Sequence, residues 1–445
     1  MRNSSAFKRN LTRGLPLMTL AAVPLSLAFR TGAETPVKPA APATKAAKKL
    51  TYARDVAAIL QKNCATCHRP GEVSPFSLLN YDDAKKRAKQ IAAVTKNRFM
   101  PPWKADSHGE FADERRLTDA QIATLQEWAD SGAPEGDPKE TPAIPTFPSG
   151  WKLGKPDAVA GLTHPFQIAA DGADVYRCFV IPTDGAQDRF IKALEVHPGN
   201  RTVVHHVIAY LDTSGAARKL DEKDPGPGYT TSGGGPGFMP VGFLGGWAPG
   251  NEARFLPEGV GNLLPKGADI VLEVHYHKSG KPEVDKTEVG MYFAKEPINK
   301  RVRMLPIINP FLKIPANAPD HVVNAAVPTY NDITVLAVTP HMHLLGRSMK
   351  VVATLPDKTE KSIVNVPDWD FNWQTSYIFK DPVKFPAGTK FNLTARYDNS
   401  TKNPRNPNKS PRDVTWGEQT TDEMCIAFIG YTRDDENLLK KTAQK

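Results

Sequence analysis

Two hydrophobic periodicities divide the chain into a short first part and a longer second part. In residues 51–133 apolar side chains recur three and four positions apart, as at Val56, Ile59 and Leu60, which predicts amphipathic helices. From Trp151 onward the pattern changes to short alternating runs rich in β-branched residues, with turn residues between them. That pattern is typical of antiparallel β-sandwiches. The sequence therefore predicts a small all-α domain followed by all-β sandwich domains.

The end of the all-α part carries recognisable signals. Thr118 and Gln121 fit a capping box at the start of its last helix, and Gly132 lies where that helix would end. Residues 134–150 contain five prolines and show no periodicity, so we interpret them as a Pro-rich linker. Fully extended at ~3.1 Å per residue, such a linker would let the all-α domain dock on the β region without being fixed there.

The N-terminus has the form of a secretory signal peptide. Basic residues precede an apolar stretch at 15–29, and small residues follow at 31–33. An uncleaved membrane anchor is the alternative, but Pro16 and Pro24 interrupt a stretch shorter than the ~20 apolar residues that a span needs. We therefore predict a cleaved signal peptide, a periplasmic or secreted protein, and no stable membrane span.

The charge distribution argues against a nucleic-acid partner. The chain has 57 Lys and Arg against 48 Asp and Glu, a formal net charge of +9. Residues 1–50 contain nine of the basic and one of the acidic residues, so the other 395 residues carry a net charge of only +1. A nucleic-acid-binding surface would need a basic patch in the folded part of the chain. We expect no such partner.

Cys64, Cys67 and His68 form the C-x-x-C-H pattern of c-type heme attachment. A zinc half-site or a redox cysteine pair is the alternative, but the sequence has no second cysteine pair. Met100 lies in a loop between two predicted helices, and we predict its thioether as the sixth iron ligand rather than a packing residue. Residues 51–133 resemble small class I cytochromes c in size and helix order, so one covalently attached heme c is the implied cofactor.

Three histidine pairs lie in predicted strands. They are His205 with His206, His275 with His277, and His341 with His343. Side chains two positions apart on a strand share a face, so an H-x-H pair presents two imidazoles to one metal. Adjacent histidines can share an ion only at a strand end or a bulge, and packing histidines are the alternative. Met424 adds a thioether, and mixed imidazole and thioether ligands favour Cu(I) over zinc.

The order HH, VHYH, HMHLLG and DEMC resembles the copper type II, ascorbate-dependent monooxygenases. That family includes peptidylglycine α-hydroxylating and dopamine β-monooxygenases. The resemblance covers about residues 160–432 and implies two jelly-roll domains with two copper ions. The first copper would pass electrons, and the second would bind O2 beside the substrate at the catalytic residues. The implied ligands are His205, His206 and His275 for the first copper, and His341, His343 and Met424 for the second.

Together these patterns predict a multidomain protein, with a small all-α cytochrome c domain followed by two all-β jelly-roll sandwich domains. The expected divisions are a signal peptide (1–33), a disordered linker (34–50), a cytochrome c-like domain (51–133), the Pro-rich linker (134–150), an N-terminal copper domain (151–297) and a C-terminal copper domain (298–435).

The substrate positions depart from the family pattern. In the peptide-hydroxylating enzymes an Arg, an Asn and a Tyr bind the substrate carboxylate, and here Thr339, Ile426 and Phe428 stand at those places. An apolar wall cannot compensate a buried carboxylate. The resemblance therefore implies a neutral, largely apolar substrate rather than a peptide that ends in glycine.

Two further features stay open at the sequence level. The disulfides of the family are missing, and Cys178 and Cys425 are the cysteines outside the heme motif. We favour two free thiols over a disulfide, because they are predicted to lie in different sandwiches. Glu273 shares the predicted strand face of His275 and could orient that ligand. It is equally consistent with the sequence that Glu273 and His277 simply lie on a solvent-exposed face of the strand.

The predicted function is that of an exported copper-dependent monooxygenase, which hydroxylates a C–H bond of a small organic substrate with O2. The heme domain would pass electrons to the three-histidine copper, and ascorbate or another redox protein would be the external donor. Direct reduction of copper by ascorbate is the alternative route. A non-catalytic periplasmic electron-transfer or copper-binding protein is the alternative class. Its blue-copper version is disfavoured because no histidine follows Cys425.

Overall fold

The computed structural model describes residues 49–442 apart from 148–149, 184, 233–234 and 418. The predicted signal peptide (1–33) and nearly all of the predicted linker at 34–50 lie outside the described residues. From Leu50 onward the chain forms one compact unit. In the part described, no helix is both long and apolar enough to cross a bilayer.

Residues 50–133, the helical segment, form helices as the periodicity predicts. They are a π-helical turn Tyr52–Val56 that continues into α1 (Ala57–Asn63), then α2 (Tyr81–Lys86), α3 (Ala88–Lys96) and α4 (Asp119–Asp130). Leu60 and Trp128 are fully buried in the core between them. The predicted capping box is confirmed, because the Thr118 and Gln121 side chains each accept a hydrogen bond from the other residue's backbone amide. Gly132 follows α4 with a φ of +87°, a conformation that suits glycine.

The first sandwich (residues 158–301) packs two five-stranded sheets around one core. Its elements are β1 (Ala158–Gly161), β2 (Phe166–Ile168), β3 (Val175–Pro182), β4 (Arg189–His197), β5 (Val204–Asp212), α5 (Ala216–Asp221), β6 (Tyr229–Thr231), β7 (Gly242–Trp247), β8 (Val260–Leu264), β9 (Asp269–Tyr276), β10 (Glu283–Asp285), β11 (Glu288–Phe293) and β12 (Lys300–Arg301). The sheet orders are β1–β11–β4–β8–β12 and β6–β3–β9–β5–β7, and β2 pairs with β10. Ile191 and Val289 of the first sheet share a buried core with Val207, Leu272 and Tyr276 of the second.

The second sandwich (residues 303–433) has the same two-layer design. Its strands are β13 (Arg303–Ile308), β14 (Lys313–Ile314), β15 (His321–Pro328), β16 (Ile333–His341), β17 (Gly346–Thr354), β18 (Glu360–Val366), β19 (Tyr377–Phe385), β20 (Lys390–Tyr397), β21 (Val414–Thr415) and β22 (Ile426–Arg433), and α6 (Leu438–Thr442) follows. The four-stranded sheets run β13–β22–β16–β19 and β15–β20–β17–β18, and β14 pairs with β21. Val338 and Ile429 of one sheet meet Val351 and Leu393 of the other in a buried core.

This architecture of many strands and few helices agrees with the predicted β-sandwich domains. The first sheet extends slightly past the predicted boundary at residue 297, because Lys300 of β12 pairs with Val260 of β8. The jelly-roll topology and the cytochrome c fold of the helical segment stay predictions.

The loop between α3 and α4 anchors the helical segment to the second sandwich. Trp103 and Phe111 are buried in the core of that sandwich. Their rings lie 5.2 and 5.3 Å from the ring of Tyr377 in β19, measured between centroids. The backbone takes part as well, since the amide of Ala112 donates to the carbonyl of Ile378 at 2.8 Å. The loop in which the sequence suggested only a heme ligand therefore also fixes the position of the helices.

The described part of the Pro-rich linker, residues 134–147, lies along the helical segment. The carbonyl of Pro134 accepts a hydrogen bond from the amide of Tyr52 at 2.9 Å. The carbonyl of Pro142 accepts one from Nε2 of Gln61 at 3.1 Å. The linker is therefore not the freely extended tether that the sequence suggested. A segment rich in proline can still offer its backbone carbonyl groups as hydrogen-bond acceptors to a neighbouring surface.

Phe111→Ala should lower the free energy of unfolding by about 3–5 kcal/mol, because a buried ring is removed from a packed core. Phe99→Ala is the matched control, since Phe99 belongs to the same loop but is 48% exposed. The control should change the free energy by less than about 0.5 kcal/mol. Urea denaturation followed by tryptophan fluorescence measures both variants. Equal losses in the two would contradict the anchoring role.

Candidate metal centres

The first histidine cluster lies where β5 and β9 pair inside their sheet. His206 is directly opposite His275 in the antiparallel register. Regular alternation would point His205 to the other face, but the register shifts between Val204 and His206, so β5 contains a bulge at this place. The sequence required a strand end or a bulge for His205 and His206 to share an ion, and the structure has the bulge.

Three imidazole groups converge at this bulge. Ligand atoms of His205, His206 and His275 all lie within 4.8 Å of one another. The Nδ1 atoms of His205 and His206 are 3.2 Å apart, and the buried Nδ1 of His275 has no hydrogen-bond partner among the described residues. A buried nitrogen of this kind costs free energy unless a ligand satisfies it. The cluster therefore has the donor set of a three-histidine metal site.

A carboxylate that the sequence analysis missed orients His275. Oδ2 of Asp174 lies 2.8 Å from Nε2 of His275, and Oδ1 lies 3.1 Å from Nδ1 of His277. With its proton on Nε2 facing Asp174, neutral His275 presents the lone pair of Nδ1 to the cluster. Burial acts to raise the pKa of Asp174, but the hydrogen bonds and charges of the two histidines hold it below its ordinary value. Asp174 is 101 residues from His275 in the chain, so no spacing signal could have revealed it.

Burial disfavours the protonated form of two imidazoles in this cluster, His205 and His206. It lowers the pKa of His205 to about 4, and the charge of His275 acts in the same direction. It lowers the pKa of His206 well below the ordinary value, again with help from neighbouring histidines. Neutral imidazole is the form that binds a metal. His205 and His206 are therefore in their ligating form at neutral pH.

The second histidine pair lies at the end of β16 in the second sandwich. The rings of His341 and His343 are 5.2 Å apart between centroids and nearly perpendicular. Nδ1 of His341 is 2.7 Å from Oε1 of Gln374, and Nδ1 of His343 is 3.2 Å from the carbonyl oxygen of Asp422. Because both acceptors require a proton on Nδ1, each neutral ring has its Nε2 lone pair available for a metal. Burial lowers the pKa of His341 to about 3.

Glu423 ties this pair to the segment that carries Met424. Its fully buried carboxylate accepts hydrogen bonds from the amides of His343 (2.9 Å), Leu345 (2.6 Å) and Met424 (3.1 Å). Burial raises the pKa of Glu423 to about 8, although these amides act in the opposite direction. His341 is opposite Ile426 in the pairing of β16 with β22, and Met424 precedes Ile426 by two residues. The acid next to Met424 was visible in the sequence, but its burial was not.

The two histidine clusters lie on different sandwiches, which contact each other. The charge of His341 contributes to the lowered pKa of His206, so the two groups are close enough to interact electrostatically. Nearby, Nε2 of Gln419 in the second sandwich donates to the carbonyl of Ser232 in the first at 3.3 Å. The fold thus brings together two clusters that are separated by 66 residues between His275 and His341.

The C-x-x-C-H motif follows α1 directly. Nδ1 of His68 is 2.7 Å from Oγ of Ser74, which leaves Nε2 of the ring for a metal. Cys64 and Cys67 are free thiols, and burial raises the pKa of both, that of Cys64 to about 12. Met100 lines a cavity of about 230 Å³ at the contact with the second sandwich, and His68 is not among its lining residues. Met100 as the sixth ligand stays a prediction.

Thr339, Ile426 and Phe428, which stand where the peptide-hydroxylating enzymes bind the substrate carboxylate, share one sheet face with His341. Ile426 is opposite His341, and Phe428 is opposite Thr339. The hydroxyl groups of Thr339 and Ser376 are 2.8 Å apart. This face therefore combines apolar side chains with a neutral hydroxyl pair.

The remaining cysteines are free and buried, one in each sandwich. Cys178 lies in β3, and Cys425 immediately precedes β22. Burial raises the pKa of both thiols, that of Cys425 to about 12. The prediction of two free thiols is therefore confirmed.

Comparisons with known proteins find similarity to copper monooxygenases. Residues 314–443 match the family model for the C-terminal domain of copper type II ascorbate-dependent monooxygenases. DBH-like monooxygenase protein 1 of Homo sapiens is 24% identical over 282 residues, an alignment that covers 57% of this chain and 43% of the relative. The chain thus spans less than half the length of that relative. Both matches support the family that the sequence resembles and, at that level, a copper-dependent oxidoreductase.

Similarities to solved structures are weaker. The major capsid protein P2 of bacteriophage PM2 gives a TM-score of 0.24 at 6% identity, covering 62% of this chain and 97% of that chain. PNGF-II gives a TM-score of 0.27 at 9% identity, covering 63% of this chain and 65% of that chain. TM-scores this low do not indicate a shared fold.

Asp174→Asn should weaken Cu(II) binding at the three-histidine cluster by about 10- to 100-fold, because the carboxylate that orients His275 is lost. Asp171→Asn is the matched control, since Asp171 is an exposed aspartate in the same turn. Titration of the metal-free protein with Cu(II), followed by calorimetry, measures both affinities. Unchanged binding in Asp174→Asn would contradict the orienting role.

Lowering the pH from about 6.5 to 4 should destabilise the metal-free protein. Unfolded histidines titrate near 6.5, whereas His341 has a folded pKa of about 3. The unfolded chain therefore binds more protons than the folded chain between these pH values, and the free energy of unfolding decreases as the pH is lowered. Urea denaturation at several pH values measures the slope. His341→Gln should reduce the slope of the unfolding free energy against pH. His108→Gln, which changes an exposed histidine, should leave the slope unchanged. Equal slopes in the two variants would refute the lowered pKa of His341 as the cause.

Proposed function

We propose that this chain is an exported copper-dependent monooxygenase that hydroxylates a C–H bond of a small, neutral organic substrate with O2. The observation that carries the proposal is a histidine cluster on each sandwich, with His206 and His341 held neutral by burial. The match of residues 314–443 to the copper monooxygenase family supports the same reading. Hydroxylation consumes one O2, two electrons and two protons and releases one water, so two one-electron centres suit the reaction.

The donor atoms fit two copper ions. His205, His206 and His275 would hold the first copper, and the unpartnered Nδ1 of His275 supports that fit. His341, His343 and Met424 would hold the second. A soft thioether beside two imidazoles favours Cu(I) and leaves positions for O2. When bound, copper supplies the one-electron steps and the activation of O2.

The protein's own residues would hold these ligands in place. Asp174 accepts a hydrogen bond from His275, Gln374 accepts one from His341, and the carbonyl of Asp422 accepts one from His343. Each contact keeps the outer nitrogen protonated and the inner nitrogen free for metal. Glu423 holds the backbone of His343 against that of Met424.

The substrate would lie on the sheet face beside His341, where Ile426 is buried and Phe428 is partly buried. Ile426 and Phe428 alternate along β22 with the core residues Ala427 and Ile429, so they face away from the core. Ile308 of the neighbouring strand is opposite Ile426 and is 39% exposed. Desolvating a carboxylate against such a wall would cost several kcal/mol without compensation. We therefore infer an apolar substrate, with the Thr339 and Ser376 hydroxyls available to one polar group.

The helical segment would carry the electron supply. We infer that Cys64 and Cys67 attach one heme c and that His68 and Met100 are its axial ligands. The donor set of two free thiols and one oriented imidazole supports the heme. Such attachment takes place outside the cytoplasm, which agrees with the predicted signal peptide and a periplasmic or secreted protein. Ascorbate or another redox protein would supply electrons from outside.

Metal analysis of the purified protein should return two copper ions and one heme iron per chain. Substrate-dependent O2 uptake should place labelled oxygen from O2 in the product, and neutral apolar compounds should react faster than a peptide ending in glycine. Met424→Ala should weaken only the second copper site, chiefly for Cu(I), because a soft ligand is lost. Met239→Ala, which removes a methionine that is 90% exposed, is the control.

Several outcomes would overturn this function. Zinc, or a single copper, would refute the two-copper assignment. Full copper loading without O2 uptake across a panel of neutral and charged substrates would instead support a non-catalytic copper-binding or electron-transfer protein.

A further inference from the structure

The C-x-x-C-H loop contacts the loop that leads into the three-histidine strand. Oε2 of Glu72 lies 3.0 Å from a guanidinium nitrogen of Arg201. Glu72 follows His68 by four residues, and Arg201 precedes His205 by four residues. One ion pair therefore connects the segment that carries the predicted heme ligand with the segment that carries the first metal cluster.

Glu72 is the hub of a small, mostly buried charge network. Its other oxygen, Oε1, lies 2.6 Å from a guanidinium nitrogen of Arg69. The Glu72 side chain is 13% exposed and that of Arg201 is 26% exposed. Exposed ion pairs contribute little to stability, whereas removing one partner of a buried pair leaves an uncompensated charge. This network has the burial needed to fix the relative position of the two loops.

A second strand next to the cluster takes part in the same contact. The guanidinium of Arg201 lies 5.7 Å from the ring centre of Trp247. Trp247 pairs with Val207, the residue after His206, across β7 and β5. Three residues after Trp247, the carbonyl of Gly250 accepts a hydrogen bond from Arg115 of the helical segment at 2.6 Å. Both strand segments beside the histidines therefore touch the helical segment.

Cys67 of the motif lies near charged side chains of this same surface. Burial is the main cause of the raised pKa of Cys67, and the charges of Arg115 and Glu72, then those of Glu252 and Lys152, also act on it. Glu252 and Lys152 form an ion pair with each other at 2.8 Å. The C-x-x-C-H loop thus faces the three-histidine sandwich, while Trp103 and Phe111 fix the other side of the helical segment to the second sandwich.

We propose that Glu72 and Arg201 are positioning residues, which hold the heme loop against the three-histidine centre so that electrons pass between them within one fixed complex. This inference rests on the proposed function, because it requires heme at Cys64–His68 and copper at the histidine cluster. Each transfer oxidises one ferrous iron to ferric and reduces one cupric ion to cuprous, and it moves one electron and no proton. An external one-electron reductant, either an ene-diol such as ascorbate or a redox protein, returns the iron to the ferrous state.

The test uses the full-length, heme- and copper-loaded protein with two readouts. Rapid mixing follows heme oxidation after selective reduction of the iron. Paramagnetic resonance of the resting protein follows the relaxation of Cu(II) at the three-histidine site, which a nearby ferric heme accelerates. The second readout depends on the distance between the centres and not on turnover. The unfolding midpoint of each variant is measured as well.

Glu72→Gln and Arg201→Gln should each slow heme oxidation at least severalfold, because the rate of electron transfer falls as the donor and acceptor move apart. Each should also reduce the relaxation enhancement, and the double variant should be no worse than either single one. Arg201→Lys keeps the charge and should recover part of both signals. Asp113→Asn is the matched control, since Asp113 forms an ion pair with Arg254 that also joins the helical segment to the first sandwich.

The outcomes separate this inference from the proposed function. Losses in both readouts at Glu72 and Arg201, with the unfolding midpoint and Asp113→Asn unchanged, would support the positioning role. Unchanged rates and relaxation in a fully loaded Glu72→Gln or Arg201→Gln protein would overturn it and leave the proposed function intact. A rate of heme oxidation that rises with protein concentration would also overturn it. A purified protein without covalent heme would overturn this inference and the heme assignment, but not the copper monooxygenase itself.

Discussion

The antiparallel register between β5 and β9 is the constraint on which the candidate chemistry depends. It sets His206 opposite His275, and the bulge in β5 adds His205 to the same place. A slip by one residue would turn His275 to the face where Val274 and Tyr276 pack in the core. The hydrophobic core therefore enforces the register, and the register in turn assembles the three imidazoles.

Once the strands are paired, the proton positions on the imidazoles follow from their outer contacts. In the first cluster Asp174 engages Nε2 of His275, whereas in the second Gln374 engages Nδ1 of His341. The two clusters thus present different nitrogens to their centres, because their acceptors come from different sides. Burial disfavours the protonated form of His205, His206 and His341, so the charge state of these rings is set before any metal binds.

The helical segment is integrated into the β region through two different kinds of contact. Trp103 and Phe111 bury apolar surface in the second sandwich, whereas Glu72 meets Arg201 of the first sandwich through charge. Apolar burial supplies most of the binding free energy of such a contact, while charge pairs select its register. A segment held in both ways keeps one orientation toward the two histidine clusters. A flexible tether would instead sample many orientations.

The succession of helices and strands, and the residue types that could carry the chemistry, are predictable from the sequence alone. Periodicity separates the helical segment from the sandwiches, and the capping box at Thr118 depends on neighbours three residues apart, so both are local properties. The residue types in the C-x-x-C-H motif, the histidine pairs and the DEMC segment restrict the chemistry in the same local way. The bulge that His205 and His206 require followed from strand geometry alone.

Only the tertiary structure decided which distant groups complete these sites. Asp174 reaches His275 across 101 positions, and Glu423 reaches His343 across 80. Such partners are chosen by strand order and by the packing of loops, which no short-range pattern encodes. The same holds for Phe111, whose burial depends on a core formed some 200 residues and more further along the chain. Local sequence fixes what each residue can do, and the long-range packing of the core decides which residues meet.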